Sequence, residues 1–322
     1  TRIDIGVGGK GQDVAIALSC LSRPCKLLQF IGQGPEGDQV YEMLQQTVGQ
    51  DALESTTIRT VAPLRTCTSI VGADCTTELV EPSGSIQKEE LDEIYNACAK
   101  QNVDAICIMG SMPPGCPDDT YARIYQAIEA SRNTKKNKCL IDSVAGIDAL
   151  LKVVQPETTM LKVNISELLK LAQLQTKTSE TGGAETHIVV QAVTQFLQRY
   201  STPVHTIAIT NGAHPAYMAI VNNNNTLDLY KLEIPTLPQN TVLYPIGAGD
   251  AVAAGTLAAW VDPFERAVPK KSRLSAFAFG LACGSARCLC VENSNFDWNM
   301  VEKLYESTPP PVLVSSHTLY YY

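Results

Sequence analysis

Pro245-Ile246-Gly247-Ala248-Gly249-Asp250-Ala251-Val252-Ala253-Ala254-Gly255 reads as a loop that opens into a helix. A polar run containing Asn and Pro, Pro235 to Thr241, precedes it, and small residues and helix formers continue from Asp250 to Trp260. Gly247, Ala248 and Gly249 carry almost no side chain, so a ligand can lie against the backbone. Their N–H groups fall where a helix begins. Unpaired donors and the helix dipole favour an anion there. An acid does not improve an anion site. Asp250 makes chemical sense if it takes a proton from a hydroxyl that attacks a phosphoryl group held beside it. The stretch therefore reads as an anion cradle with a general base. The plainer alternative is a glycine turn followed by a helix-start acid.

Composition narrows the classes around this stretch. The 322 residues allow one large α/β domain or two ordinary ones, with ample length to bury a core. Net charge is -8, and the only basic blocks are the pairs Lys135-Lys136 and Lys270-Lys271, which argues against nucleic acid as a partner. No apolar run reaches membrane-spanning length, and Thr1-Arg2-Ile3-Asp4 is no signal peptide. The 11 cysteines are scattered through apolar segments such as those of Cys98, Cys107 and Cys283. Cys288-x-Cys290 is the tightest spacing, and no second pair or nearby His completes a zinc set. Buried free thiols in a reducing compartment, the cytoplasm or another, are expected.

Along the chain, Ile3, Ile5 and Val7 alternate as a short strand would, and Gly8-Gly9-Lys10-Gly11-Gln12-Asp13 forms a second glycine turn before a helical run from Val14 to Leu21. Lys10 and Asp13 could face a ligand lying on that turn; a simple strand–helix corner is the alternative. Lys26–Ile31 predicts a strand and Asp38–Gln46 a helix. Thr57–Val61, Thr66–Val71 and Thr76–Val80 are short, Thr- and Val-rich, and broken by Pro63 and Asp74. They read as antiparallel strands of a small side sheet. Arg65 is a lone cation among Thr and Pro, suited to a substrate phosphate or to plain solvation.

From Glu89 onward strands and helices alternate. The predicted strands are 103–109, 138–141, 159–163 and 205–210, with helices at 89–101, 118–131, 145–154, after Asn164 and 185–200. A hairpin at 217–232, an apolar helix at 272–290 and a last helix near 299–306 follow. Such alternation implies an α/β fold with a parallel sheet covered on both faces. Ligands of such sheets bind beyond the carboxyl ends of the strands. The Gly8, Gly110, Asn164 and Gly247 corners all fall at helix-opening positions, and that convergence favours the functional reading. The tail, residues 309–322, with Pro309-Pro310-Pro311 and Tyr320 to Tyr322, is expected to be disordered.

Gly8-Gly9-Lys10-Gly11 before a helix, N-x-x-E at Asn164 to Glu167, and G-A-G-D at Gly247 to Asp250 come in the order seen in the ribokinase-like (PfkB) carbohydrate kinases. The resemblance covers nearly the whole chain. Thr76 to Pro82, Gly110 to Gly115 and Pro245 to Asp250 look most like the branch holding 1-phosphofructokinase and tagatose-6-phosphate kinase. It implies a three-layer α/β/α fold, with a mostly parallel central sheet and a small β-sheet lid. The core would be residues 8–56 and 83–308, the lid 1–7 and 57–82. It further implies Asp250 as the base that deprotonates a sugar hydroxyl. The N–H groups of Gly247, Ala248 and Gly249 would form the anion hole for the γ-phosphoryl of ATP. Asn164 and Glu167 would organise Mg2+ and its waters. Lys162, Thr210 and Gly212 would lie on the nucleotide side. Gly8, Gly9, Lys10 and Asp13 would lie along the sugar, Arg65 would grip a substrate phosphate, and the lid would exclude water. The lid could also pair with that of a second subunit, making a homodimer.

Three features depart from the family pattern. The family's strand before the G-G-K-G turn, with its sugar-binding Asp, is expected to lie ahead of Thr1, outside this sequence. Asp13 stands where the family has Asn, and a carboxylate accepts but cannot donate. Tyr244 stands where the family usually has Asp or Asn. In relatives that use a monovalent cation that carboxylate helps hold it, so no K+ site is expected. The leading expectation is a kinase of a hexose phosphate such as fructose 1-phosphate, fructose 6-phosphate or tagatose 6-phosphate. An inactive family member serving as a structural partner is the alternative from another class. A kinase of an unphosphorylated sugar or nucleoside, with Arg65 idle, is the third.

Overall fold

Residues 5–71, 76–131, 137–175, 186–201, 203–237, 243–264 and 272–319 are described in a computed structural model. The chain runs α1 (Lys10–Cys20), β1 (Gln29–Gly32), α2 (Pro35–Val48), α3 (Gln50–Leu53), β2 (Thr57–Thr60), β3 (Cys67–Val71) and β4 (Thr76–Val80). It continues α4 (Lys88–Cys98), β5 (Ala105–Met109), α5 (Thr120–Ala130), β6 (Lys138–Asp142), α6 (Ile147–Leu150), β7 (Thr159–Asn164), α7 (Ile165–Leu171) and α8 (Thr186–Arg199). Then come β8 (Thr206–Thr210), β9 (Ala216–Val221), β10 (Thr226–Leu232), α9 (Ala248–Val261), α10 (Arg273–Arg287), α11 (Trp298–Ser307) and β11 (Val312–Thr318).

The main sheet has the order β11-β10-β9-β8-β7-β6-β5. β5 to β8 are parallel, and β9, β10 and β11 continue the sheet antiparallel. Side chains of a strand alternate between its two faces. Ile141, Leu161 and Ile207 accordingly enter one core with helices α4 to α8. Their neighbours Leu140, Met160 and Ala208 enter a second core with α1, α9, α10 and α11. A sheet buried on both faces explains the near-continuous apolar reading of these strands. Register then fixes where the site can be. Met109 pairs with Asp142, and Asn164 with Thr210, so four strand ends reach the same edge.

The three-layer α/β architecture agrees with the sequence reading; several details differ. β2 does not belong to the side sheet: it pairs in parallel with β1, Gln29 opposite Thr57. The side sheet is the antiparallel hairpin β3–β4 alone, Cys67 opposite Val80. Ile5 to Val7 form no strand; Val7 is buried against α1 and α2. The expected helix at 145–154 shrinks to the four-residue α6. The tail is not disordered at 312–318, where β11 adds an antiparallel edge strand to β10. Thr1 to Asp4, Asp74, Lys135-Lys136, Glu185, the end of the 235–241 run, Lys270-Lys271 and Tyr320 to Tyr322 lie outside the described residues. Among the described residues ten cysteines are free, though Cys67 is exposed; no helix is long and apolar enough to cross a membrane.

Candidate active site

Asp142 ends β6 and is almost fully buried. One carboxylate oxygen accepts from Lys10 Nζ at 3.0 Å, the other from Lys162 Nζ at 2.5 Å. Lys10 comes from the start of α1 and Lys162 from β7, so this carboxylate ties the first glycine turn to the middle of the sheet. Burial alone would push Asp142 up, but the Lys162 and Lys10 ammoniums hold its carboxyl below the usual range. Burial works to lower Lys10, and Asp142 more than offsets it, with Glu167 and Asp250 adding to the rise. Gly110, at the end of β5, lies against the Lys10 stem, and its carbonyl accepts from Ser143 Oγ at 2.5 Å.

Above this triad stands the start of α9. Gly247 is its N-cap in the left-handed region, φ 79. A side chain is excluded there on two grounds. The backbone strains any residue with a Cβ, and that Cβ would fall 2.7 Å from Asn293 Oδ1. Ala248 N–H donates to the Pro245 carbonyl at 3.1 Å, and Ala251 N–H to the Gly247 carbonyl at 2.9 Å. The N–H groups of Gly249 and Asp250 have no backbone acceptor among the described residues. The expected set of Gly247, Ala248 and Gly249 thus differs in one donor: Ala248 closes the turn, and Asp250's own N–H is open. Lys162 Nζ is 3.7 Å from where a Cβ on Gly249 would stand, so a cation lies directly beside the open donors.

Asp250 is 8% exposed. Burial pushes its carboxyl up to about 7; Asp13 adds to the rise, and Lys162 opposes it. A base poised near neutrality suits proton abstraction. Asp13 is itself buried and pushed up to about 6, against the Ser294 hydroxyl, Gly9 N–H and Arg287. It accepts from Asn293 Nδ2 at 2.7 Å. At that value Asp13 is largely ionised at pH 7, where it acts as an acceptor and as a negative charge beside Asp250. Gly8 and Gly9 are exposed beside it.

The N-x-x-E motif appears first as a capping box. Asn164 Oδ1 accepts from Glu167 N–H at 2.9 Å, and Glu167 Oε2 accepts from Asn164 N–H at 2.8 Å. This satisfies two orphan donors of α7. The box also fixes Glu167 at the strand-end edge, within electrostatic reach of Lys10. No group of three or more metal-ligating side chains occurs among the described residues. One carboxylate and one amide fit Mg2+, which keeps most of its waters, and would not suit a metal demanding a full protein cage. Thr210 ends β8 next to Asn164, and Gly212 follows in a left-handed turn with open space around it. Arg65 is the outlier. It lies exposed before β3 and forms no ion pair among the described residues. Tyr244 is held by its backbone, N–H to the Cys288 carbonyl at 2.9 Å.

Sequence reasoning missed Asp142, Asn293 and Arg287. Asp142 left a trace: a carboxylate ending an apolar strand at the carboxyl edge of a parallel sheet. Asn293 and Arg287 left none, since only the tertiary fold carries them to Gly247.

The profile of the "pfkB family carbohydrate kinase" matches residues 1–299. The chain belongs to this family. Family membership makes it a carbohydrate kinase, and kinases of the family use ATP. It resembles phosphofructokinase-2 from Escherichia coli in complex with potassium, at 19% identity and TM-score 0.75, covering 95% of this chain and 89% of that one. A possible 1-phosphofructokinase from Thermotoga maritima is 17% identical, TM-score 0.72, with 98% and 90% covered. Arabidopsis thaliana ribokinase complexed with ribose and ATP is 18% identical, TM-score 0.64, with 93% and 87% covered. At such identities these likenesses describe the shared fold of the kinase.

Proposed function

We propose that the kinase transfers the γ-phosphoryl of ATP to a hydroxyl of a sugar phosphate, a hexose phosphate such as fructose 1-phosphate, fructose 6-phosphate or tagatose 6-phosphate. The observation that carries this reading is the buried Asp250, raised to about 7, at the same helix start as the open Gly249 and Asp250 N–H groups. Asp250 accepts the hydroxyl proton as the oxygen attacks phosphorus. The open N–H groups, with Lys162 beside them, stabilise charge on the transferring group. Asp142 positions Lys10 and Lys162 toward the sugar side and the phosphate side. Glu167 and Asn164 would hold Mg2+ through its waters, and the metal supplies neutralisation of phosphate charge. Thr210 and Gly212 border the nucleotide, Gly8, Gly9 and Asp13 the sugar.

Arg65 favours a phosphorylated acceptor. An exposed guanidinium that forms no ion pair among the described residues, at the foot of the β3–β4 hairpin, could take a phosphate in bidentate fashion. The hairpin leaves Ile70, Leu79 and Val80 exposed, and a homodimer through the two lids would cover them. The structural likeness to phosphofructokinase-2 and to a possible 1-phosphofructokinase points in the same direction. The test is ADP release from ATP and Mg2+ across free sugars and sugar phosphates. Turnover confined to one hexose phosphate supports the reading. Turnover with free sugars or nucleosides alone removes Arg65 from it. ATP binding without turnover on any acceptor points to the structural-partner alternative.

A further inference from the structure

Arg287 has the largest side chain among those almost fully withdrawn from solvent, at 2% exposure. It is the last residue of α10, and helix packing decides where it lands. α10 approaches α9 along Gly255, Gly280 and Gly284. A Cβ on Gly284 would stand 2.5 Å from Val252 and 2.9 Å from the Ala248 carbonyl. This close seam lays the end of α10 under the beginning of α9.

Two contacts of the guanidinium are those of a helix C-terminal cap. Nη1 donates to the Cys290 carbonyl at 2.6 Å, and Nη2 to Asn293 Oδ1 at 3.3 Å. A cap does not account for Nε, which is buried without an acceptor among the described residues. The Gly247 turn lies beside it: Nε is 3.5 Å from where a Cβ on Gly247 would be. Asn293 carries the connection onward, donating to Asp13 at 2.7 Å and to the Val7 carbonyl at 3.1 Å. One buried cation therefore stands behind both glycine turns, beside the Gly247 turn and linked to the Gly9 turn through Asn293 and Asp13.

We propose that Arg287 is the fixed cation of the phosphoryl cradle. It braces the Gly247 turn from behind and supplies there the positive charge a monovalent metal ion would otherwise supply, so the kinase works without one. The proposal rests on reading the Gly247 turn as that cradle. Arg287 acts through the turn, so it is a positioning residue. A cation in a dry site is costly; Asp13, linked through Asn293, offsets part of that cost, and a phosphoryl group drawing charge onto the turn offsets more.

The test compares potassium, sodium and tetramethylammonium chlorides at equal ionic strength, with ADP release and thermal unfolding read in each. Wild-type kcat and Tm are expected to be the same in all three. Arg287→Met is expected to lower kcat on the order of 10- to 100-fold, less than the loss of a direct oxyanion donor, with KM for ATP changing far less. Arg287→Lys is expected to retain more of the rate, and potassium or guanidinium to restore part of it to Arg287→Ala. Activation of the wild type by potassium over sodium overturns the proposal. So does a folded Arg287→Met with wild-type kcat, or an Arg287→Ala indifferent to both added cations. Where the variants fail to fold, the wild-type comparison decides. Where no acceptor gives turnover, the reading of the cradle fails separately, and Tm decides this one. Potassium or guanidinium raising the Tm of Arg287→Ala alone supports it; potassium raising the wild-type Tm, or neither cation raising that of Arg287→Ala, overturns it.

Discussion

The corner where α9 meets α10 and the hairpin β3–β4 are built in opposite ways. Every residue of α9 from Asp250 to Ala259 is buried, as is all of α10 from Ala276 to Arg287. Close-packed interiors have discrete arrangements and transmit small displacements. In the hairpin, Ile70 is 56% and Leu79 58% exposed. A two-stranded ribbon is marginal without something to pack on. The contrast teaches where this kinase keeps its precision. On the proposed reading, the close-packed α9–α10 corner serves phosphoryl transfer, and the exposed hairpin serves acceptor selection and would be covered by a sugar, a second copy or both.

The contrast breaks first, and by the largest margin, at Asp250. Asp250→Asn is expected to lower kcat about 100- to 10,000-fold, the range for a general base, with ATP affinity nearly unchanged. The same change should stabilise the protein. Burial raises the folded carboxyl to about 7 from its ordinary 3.8, so the wild type loses stability as pH rises through that window. The Tm of Asp250→Asn should therefore exceed that of the wild type at pH 8, and the gap should close toward pH 4. Equal melting curves at both values would show that the carboxyl is not strained by burial.

Asp142→Asn tests the prebuilt half from beneath. It leaves Lys162 in a dry site without its counter-charge, at a cost of about 3–5 kcal/mol in urea unfolding. Asp142 is held below its ordinary value, so its contribution is present at neutral pH and fades as pH falls through that lowered value. The wild-type advantage should therefore shrink in acid. An unchanged urea midpoint at pH 7 would mean that the triad does not brace the site.

The hairpin should respond differently. Arg65→Ala is expected to raise KM for a sugar phosphate by about 10- to 100-fold, the cost of a charge-assisted hydrogen bond, with KM for ATP unchanged. Equal KM values for both proteins would leave Arg65 idle. Asp13→Asn should move the acid limb of the kcat profile to lower pH, because it removes a like charge from beside Asp250. Leu79→Lys, at an exposed site, should change stability by less than about 0.5 kcal/mol. In sedimentation it should convert a lid-paired dimer to monomer; a large loss of Tm without dissociation would show the hairpin packed on its own chain.

The two halves also differed in how far the sequence disclosed them. Gly247 to Asp250 was legible because a positive-φ glycine, a helix start and an acid are local facts. Asn164 and Glu167 were legible as a pair, yet the same spacing serves a capping box and a metal-organising pair, and the fold makes the first without excluding the second. β2 was misassigned because Thr- and Val-rich strands look alike until their partners are known, and its partner, β1, lies 28 residues away in register. The tail misled because three prolines and three tyrosines suggest disorder, while Val312 to Thr318 needed only the free edge of β10. Asp142, Asn293 and Arg287 were hard to reach because their defining partners come from other elements: Lys10 meets Asp142 over 132 positions and Asn293 meets Asp13 over 280, while Arg287 reaches the Gly247 turn only through the packing of α10 on α9.

The pH dependence of kcat, with the acceptor that the sugar-phosphate panel identifies, tests the central claim most directly. Asp250 as the base predicts an acid limb with a midpoint near 7 in the wild type, with turnover all but absent across the range in Asp250→Asn. A wild-type profile flat through that region, or an Asp250→Asn variant turning over at a comparable rate, would contradict it.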